Sequence, residues 1–268
     1  MPRSRVFDIA ATRVVKPVLG RTLILVAHPD DEALAFGGLL QQIKQPTVVF
    51  ATDGAPRDEK FWQGHGVREA YAGHRRREAE DALDAAGVLH CEFLGFVDQE
   101  LHLELSRAHE LLCEVVARRQ PSAILTLAYE GGHPDHDSCS FLAQLLAQQF
   151  GLPVFEAPLY NRATGELRFN EFAAADGSEI AVPLNAEAIA IKQQMVCAYA
   201  SQAETLAQFD IAAESLRPQP AYDFSRPPHL GPTNYEAWGW PVSSADLCAA
   251  FAGVAATSQA WKKMKQTA

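Results

Sequence analysis

The chain has 268 residues, of which 48% are hydrophobic and 21% charged, and its formal net charge is −10. A chain of this length can bury a core without disulfides or a structural metal. The acidic balance argues against a nucleic-acid backbone or an anionic membrane as the main partner, because both attract basic surfaces.

The cysteines and the N-terminus bear on where the protein resides. The five cysteines are widely spaced and form no Cys-x-x-Cys pair: Cys91, Cys113, Cys139, Cys197 and Cys248. Such usage predicts reduced thiols and a cytoplasmic location. Charged residues interrupt residues 1–20, which predicts no signal peptide. No apolar run has the length that a membrane span needs.

Short apolar runs alternate with helical patterns in the first part of the chain. Buried strands are predicted at residues 23–27, 47–52, 91–94, 123–127 and 154–157. Helices are predicted after the first strand, at about 75–86 with Gly87 as its C-terminal cap, before Pro121, and after the fourth strand. This alternation predicts an α/β fold with a mostly parallel sheet covered by helices.

The pattern changes after about residue 160. Residues 161–184 resemble a polar hairpin or loop, residues 185–208 one helix, and residues 244–263 a last helix. The Pro- and Gly-rich stretch 216–241 is predicted to be an ordered surface loop because it holds five aromatics, in which disordered segments are poor: Tyr222, Phe224, Tyr235, Trp238 and Trp240. We expect a single domain over residues 1–268, with a core at about 20–205 and a C-terminal loop and helix at about 210–268.

The first motif with chemical content runs from Ala27 to Glu32, where a buried strand passes into a helix. Ligands of open parallel sheets bind at the carboxyl ends of the strands. His28 and Asp31 are three residues apart, so at a helix start they can point the same way. An imidazole and a carboxylate suit zinc or a related divalent ion. Asp30 lies between them and is left free to take a proton.

The second motif, Gly131 to His136, follows the fourth strand and therefore lies at the same edge of the sheet. His133 and His136 repeat the spacing of three residues. One of them can complete a His-Asp-His triad while the other stays off the metal. Three protein ligands with an open position are typical of catalytic zinc. Either motif alone could be a helix cap, but two similar motifs at the ends of two buried strands are much harder to explain as caps.

Together the two motifs resemble the signature pair of the PIG-L/LmbE-like deacetylases, a family that acts on N-acetylglucosaminyl conjugates. Further similarity is found at Thr52-Asp53-Gly54, along the helix from Arg75 to Gly87, at Asp98, and between Lys192 and Gln202. The resemblance spans about residues 20–205. It implies a Rossmann-like sheet with helices on both faces, and the first strand indeed has no Gly-x-Gly-x-x-Gly after it.

The resemblance also implies roles for particular residues. His28, Asp31 and His136 would bind Zn²⁺ or another divalent transition metal. Asp30 would be the general base, and His133 would stabilise the charged intermediate. Arg75 and Asp98 would contact the substrate. Apart from the resemblance, we expect Asp135 to orient a histidine as its outer partner, because such carboxylate partners are common for imidazoles at metal sites.

These roles predict a zinc-dependent hydrolase that removes an acyl group, usually acetyl, from the nitrogen of a small-molecule sugar or glycoconjugate. One alternative is an amidase for a larger or non-sugar amide, such as a thiol conjugate or an antibiotic scaffold. Another is a non-catalytic carbohydrate-binding module on the same fold. The sequence leaves the oligomeric state open and allows a homo-oligomer.

Overall fold

The computed structural model describes residues 15–266, with side chains as far as residue 256. The prediction about a signal peptide rests largely on residues 1–14 and lies outside this part of the chain. In the part that is described, no helix combines the length and apolarity needed to cross a membrane.

Five parallel strands form the centre of the main sheet, and they fall where the apolar runs predict them. They are β1 (Arg21–Val26), β2 (Gln45–Thr52), β3 (Cys91–Phe96), β4 (Ala123–Leu127) and β5 (Val154–Ala157). Two antiparallel strands, β8 (Ile180–Val182) and β9 (Glu214–Pro218), extend one edge. The strand order is β3-β2-β1-β4-β5-β9-β8. The predicted α/β class with a mostly parallel sheet is confirmed.

Helices cover both faces of this sheet. They are α1 (Asp31–Leu40), α2 (Arg68–Ala85), α3 (Leu105–Arg119), α4 (Pro134–Phe150), α5 (Ala186–Ala198), α6 (Ala203–Leu206), α7 (Asn234–Ala237) and α8 (Ser244–Gln266). Side chains of β1 alternate between two cores: Ile24 packs with α1, α2 and α5, whereas Leu25 packs with α3, α4 and α8. The fully buried strands read as continuous apolar runs for this reason.

The strand order reverses at one point of the main sheet, between β1 and β4. From β1 the chain proceeds through β2 to β3 on one side, then crosses to β4 on the other side of β1. The carboxyl ends of β1 and β4 therefore flank the point where the strand order reverses, which is where open α/β sheets bind ligands. Both sequence motifs follow these two strands.

Two predictions for the second half of the chain were incomplete. Residues 161–184 hold a small hairpin of β6 (Tyr160–Asn161) and β7 (Arg168–Phe169), but also β8, which joins the main sheet. The stretch 216–241 begins inside β9 and contains α7, so it is not all loop. Short antiparallel edge strands lack a continuous apolar run, and they form here because β5 offers an unpaired edge.

Two helix predictions also differ from the structure. The helix expected at about 75–86 begins earlier, at Arg68. The single helix expected over 185–208 ends at Ala198 and continues as a short 3-10 turn and α6. The interruption is caused by tertiary contacts, because the buried Tyr199 hydroxyl donates to Glu32 and the Ser201 amide donates to Glu78.

Candidate metal and catalytic site

The first motif fixes Asp31 at the start of α1. The Asp31 Oδ2 atom accepts the backbone amides of Ala27 (3.1 Å) and His28 (2.8 Å). This contact ties the end of β1 to the helix that follows it. The other oxygen, Oδ1, remains directed toward His136, 3.1 Å from its Nε2.

The second motif builds the start of α4. Pro134 occupies the first turn, and His133 is the N-cap, with its Nδ1 atom accepting the Asp135 amide at 3.1 Å. Gly132 permits a close approach of the β6 hairpin, since a Cβ atom there would lie 2.1 Å from the carbonyl oxygen of Tyr160. The motif thus presents His133 and His136 toward β1 and lets Tyr160 pack beside them.

Donor atoms of three residues from the two motifs converge. His28 Nδ1 lies 3.2 Å from His136 Nε2 and 3.4 Å from Asp31 Oδ2, and Asp31 Oδ1 lies 3.1 Å from His136 Nε2. Ligand atoms bound tetrahedrally at the zinc distances of about 2.0–2.2 Å lie about 3.3 Å apart. The two imidazole nitrogens and the Asp31 carboxylate therefore have separations that suit a zinc-sized site.

His28 also has outer partners that fix its orientation. Its Nε2 atom lies 3.2 Å from Asp135 Oδ2 and 3.2 Å from Asp98 Oδ1. Asp135 is held in turn by the amides of Gln99 (2.6 Å) and Leu101 (3.0 Å). A carboxylate on the far nitrogen of a histidine directs the near nitrogen toward a metal. Asp135 of the second motif thus orients His28 of the first motif.

Two other groups of side chains could also hold a metal ion. One nitrogen each of His28, His133 and His136 lie within 4.8 Å of one another, as do donor atoms of His28, Asp98, His133 and Asp135. We favour the set of His28, Asp31 and His136. The Asp31 carboxylate approaches both imidazoles, at 3.1 Å from His136 and 3.4 Å from His28, and His133 Nδ1 is already used by a backbone amide.

The electrostatics of this cluster favour positive charge. Burial lowers the pKa of His28, but Asp98, Asp135 and Asp31 oppose it and leave that pKa well above the usual range. Burial raises the pKa of Asp31, yet the imidazoles of His136 and His28 hold it well below its ordinary value. In addition, Asp98 Oδ1 is buried without a hydrogen-bond partner. A buried, carboxylate-rich cluster of this kind fits a divalent cation.

Asp30 lies beside the three donors without belonging to them. Its φ is 125°, an unusual backbone conformation for a residue with a side chain, and it makes no side-chain cap bond to α1. Arg75 Nη2 donates to Asp30 Oδ2 at 2.9 Å and also to the Pro29 carbonyl. Burial raises the pKa of Asp30 to about 6, although Arg75 opposes the rise.

The two residues predicted to contact substrate have protein partners. The side chain of Arg75 is only 3% exposed, and its guanidinium binds the Asp30 segment. Asp98 lies against the imidazoles of His28 (3.2 Å) and His133 (3.5 Å). Both residues also line the cavity over the site. Their contact with substrate stays a prediction.

A cavity of about 460 Å³ opens over the site. Its floor holds the side chains of both motifs, and its walls hold aromatic residues from outside them. The Trp240 ring lies edge-on to His133 at 5.0 Å, and the Tyr160 ring edge-on to His136 at 5.4 Å. No motif marks Tyr160, and the aromatic content of 216–241 was the only signal for Trp238 and Trp240.

Comparison with known proteins agrees with this geometry. Residues 23–147 match the family model PIG-L, described as GlcNAc-PI de-N-acetylase. We refer to residues 23–147 as the PIG-L segment, because they are similar to this family model. It contains β1, β4 and both motifs.

Two curated relatives each match less than half of this chain. A probable N-acetyl-α-D-glucosaminyl L-malate deacetylase 2 of Bacillus cereus is 30% identical over 122 residues, covering 43% of this chain and 56% of the relative. A 1D-myo-inositol 2-acetamido-2-deoxy-α-D-glucopyranoside deacetylase of Corynebacterium diphtheriae is 30% identical over 153 residues, covering 47% and 52%. The chain thus spans about half the length of the curated relatives that it matches.

Solved structures extend the likeness beyond the PIG-L segment. The A40926 pseudoaglycone deacetylase superposes with a TM-score of 0.61 at 24% identity, covering 74% of this chain and 96% of its own. A teicoplanin deacetylase in complex with teicoplanin gives 0.59 at 19% identity, covering 74% and 97%. At these identities the likeness establishes the fold.

Proposed function

We propose that this chain hydrolyses the N-acyl amide, usually acetyl, of a sugar or glycoconjugate with the help of a bound divalent metal, in the first place zinc. The observation that carries the proposal is the convergence of His28 Nδ1, His136 Nε2 and the Asp31 carboxylate at 3.1–3.4 Å. Asp30 lies alongside as an unligated carboxylate. The PIG-L segment and its relatives, all named deacetylases, support the same reaction.

His28, Asp31 and His136 would hold the metal, and Asp135 would keep the His28 ring in its orientation. A divalent ion held by three protein ligands polarises a carbonyl oxygen and lowers the pKa of water to about 7. One of the superposed structures is the zinc-inhibited form of a teicoplanin deacetylase, so zinc binds that protein. This supports zinc as the first metal to test.

Asp30 is the proposed general base. At neutral pH it is mostly ionised, since its pKa is about 6, and Arg75 fixes its position. It takes the proton of the attacking water while the oxygen adds to the acyl carbon. When the carbon–nitrogen bond breaks, Asp30 returns the proton to the amine nitrogen. The products are the free carboxylic acid and the amine.

His133 is proposed to stabilise the oxyanion as a neutral donor. Burial, together with the neighbouring His28 and His136, lowers the pKa of His133 well below its usual value. Its Nδ1 accepts the Asp135 amide, so the single ring proton resides on Nε2. Stabilisation of the charged intermediate, which is the role predicted for His133, does not need a protonated ring. A neutral ring with its N–H directed into the cavity serves the same purpose without a second positive charge.

The proposed partner is a small-molecule N-acyl sugar or glycoconjugate, in a cytoplasmic setting. The relatives named above act, by their names, on an N-acetylglucosaminyl malate and on an acetamido sugar of inositol. A non-catalytic carbohydrate-binding module is disfavoured, because such a module has no need of a buried carboxylate next to three converging donors.

Acetate release tests the proposal directly. The full-length protein would be stripped with a chelator, reloaded with one equivalent of zinc, and incubated with N-acetylglucosamine, its oligomers, and its inositol and malate glycosides. We expect acetate from at least one of them, loss of turnover in the stripped protein, and recovery on reloading. A protein that binds zinc yet releases acid from none of these amides would overturn the proposal.

A further inference from the structure

An aromatic wall rises from the metal site to the mouth of the cavity. It is formed by Tyr160, Trp238 and Trp240. The Trp240 and Trp238 rings are 5.2 Å apart, and Trp238 lies 6.1 Å from Tyr160. Because Trp240 and Tyr160 contact His133 and His136 at their inner ends, the wall is continuous with the reacting centre. The two tryptophans lie outside the PIG-L segment.

The outer end of this wall is open to solvent. Trp238 is 44% exposed, although it lies among other rings. Aromatic rings gain stability from offset or edge contacts with a further flat group, and an exposed apolar face beside a catalytic cleft commonly marks a binding surface. A flat group attached to the bound sugar would cover this ring.

The charges around the cavity point to the same class of substrate. Among the described residues that line it, the only lysine or arginine side chains are Lys60 and Arg75. Lys60 Nζ lies 2.8 Å from Asp58, and Arg75 binds Asp30 and the Pro29 carbonyl. Neither cation is free of a protein partner. A carboxylate or phosphate on the substrate would therefore meet no unpaired positive charge, while Asp98 would repel it.

Resting on the proposed deacylation, we propose that the aromatic wall selects substrates whose amine-side substituent is neutral and aromatic, such as an aryl glycoside of an N-acyl sugar. The sugar lies against Tyr160 and Trp240, next to the scissile amide. The aryl group stacks on Trp238 at the mouth. Substrates with an anionic substituent, such as a malyl group, are disfavoured at the same position.

Three glycosides of N-acetyl-α-D-glucosamine separate these classes: phenyl, methyl and L-malyl. Using the zinc-loaded protein and acetate release, we expect kcat/KM for the phenyl glycoside to exceed that for the methyl glycoside by about threefold to tenfold, the usual contribution of one aromatic pair. We expect the malyl glycoside to be the poorest of the three. A malyl glycoside that is the best substrate overturns the proposal.

Variants assign the preference to the wall. Trp238→Ala should bring the phenyl-to-methyl ratio close to one, and Trp238→Phe should retain most of it. Phe150→Ala, which removes a comparably exposed ring (38%) at the end of α4, should leave the ratio unchanged. An unchanged phenyl-to-methyl ratio in Trp238→Ala would show that this ring does not bind the aryl substituent of the glycoside.

Binding separates this inference from the proposed reaction. Calorimetry on the Asp30→Asn protein measures the Kd of each intact glycoside without turnover. If no glycoside is hydrolysed but the phenyl glycoside still binds best through Trp238, only the proposed reaction fails. If acetate is released but the phenyl glycoside neither binds nor reacts better than the malyl glycoside, only the present inference fails.

Discussion

Arg75 Nη2 donates to Asp30 Oδ2 at 2.9 Å, so a buried guanidinium from α2 holds the carboxylate that lies beside the converging donors of the two motifs. Arg75 is itself positioned by Ser201 and Glu78, which join α2 to the turn after α5. The proposed base is therefore oriented by residues far away in the sequence. This arrangement makes the acidity of Asp30 adjustable from outside the two motifs.

Replacement of Arg75 by methionine should shift the pH dependence of turnover. Burial raises the pKa of Asp30 and Arg75 opposes the rise, so removal of the Arg75 guanidinium should raise that pKa further. The acid limb of kcat/KM should then move to higher pH, with the largest loss of activity below neutral pH. Arg76→Met is the matched control, because Arg76 pairs with Glu80 on the exposed face of the same helix. An acid limb that does not move would show that Arg75 does not affect the ionisation of Asp30.

Replacement of Asp30 by asparagine should abolish most turnover and leave the metal bound. Asparagine preserves the size of the side chain but cannot accept the proton of water. A general base typically contributes about 10²- to 10⁴-fold, and a loss of that size in kcat is expected. Elemental analysis of the same preparation should show the metal content of the parent protein. Turnover near the parent rate would remove Asp30 from the role of base.

Replacement of His136 by alanine should release the metal. His136 Nε2 lies within 3.2 Å of both His28 Nδ1 and Asp31 Oδ1, so the change leaves two donors where three converged. Metal content after dialysis, measured by mass spectrometry, should fall well below one equivalent. His90→Ala, at an exposed position before β3, should retain the full equivalent. Equal metal content in the two variants would mean that another set of residues binds the ion.

Replacement of Lys192 by methionine should destabilise the fold. The Lys192 ammonium is fully buried, donates to the Leu34 carbonyl of α1, and lies 2.7 Å from Glu214 of β9. Its loss leaves a buried carboxylate without its cation, which typically costs about 3–5 kcal/mol of unfolding free energy. Urea denaturation measures this difference.

The control for that change is Arg168→Met, which removes an ion pair with Glu171 in which both side chains are about half exposed. Exposed pairs contribute less than about 1 kcal/mol, so this variant should unfold near the parent midpoint. Similar midpoints for the two variants would show that the buried pair does not stabilise the protein more than a surface pair does.

The central sheet and the two motifs were predictable because their signals are local. The run 23–27 is apolar throughout and 123–127 is apolar except for Thr126, which is typical of strands covered on both faces. Gly87 was predicted as a helix cap, and it has a φ of 70° while Val88 donates back to Leu83. The placement of His28 and His136 near each other followed from the shared sheet edge.

The remaining features depend on contacts that are distant in the sequence. The 3-10 turn after Ala198 reflects Tyr199 and Ser201 binding carboxylates on α1 and α2, which no local pattern reveals. The partnership of Asp135 with His28 spans 107 residues and joins the two motifs. Trp238 and Trp240 were visible as composition, but their position over the cavity depends on the path of the chain after β9.

Glu214, in the short strand β9, supports the helix that carries Asp31. Its carboxylate accepts the amides of Gly38 (2.6 Å) and Leu39 (2.9 Å) at the end of α1, the helix that begins with Asp31. A fragment limited to residues 23–147 would keep both motifs but lose this anchor, β5 with the strands beyond it, and the tryptophans. Grafting that fragment onto another scaffold would therefore transfer the donor atoms without the support that holds them, and chimeras should be joined beyond residue 240.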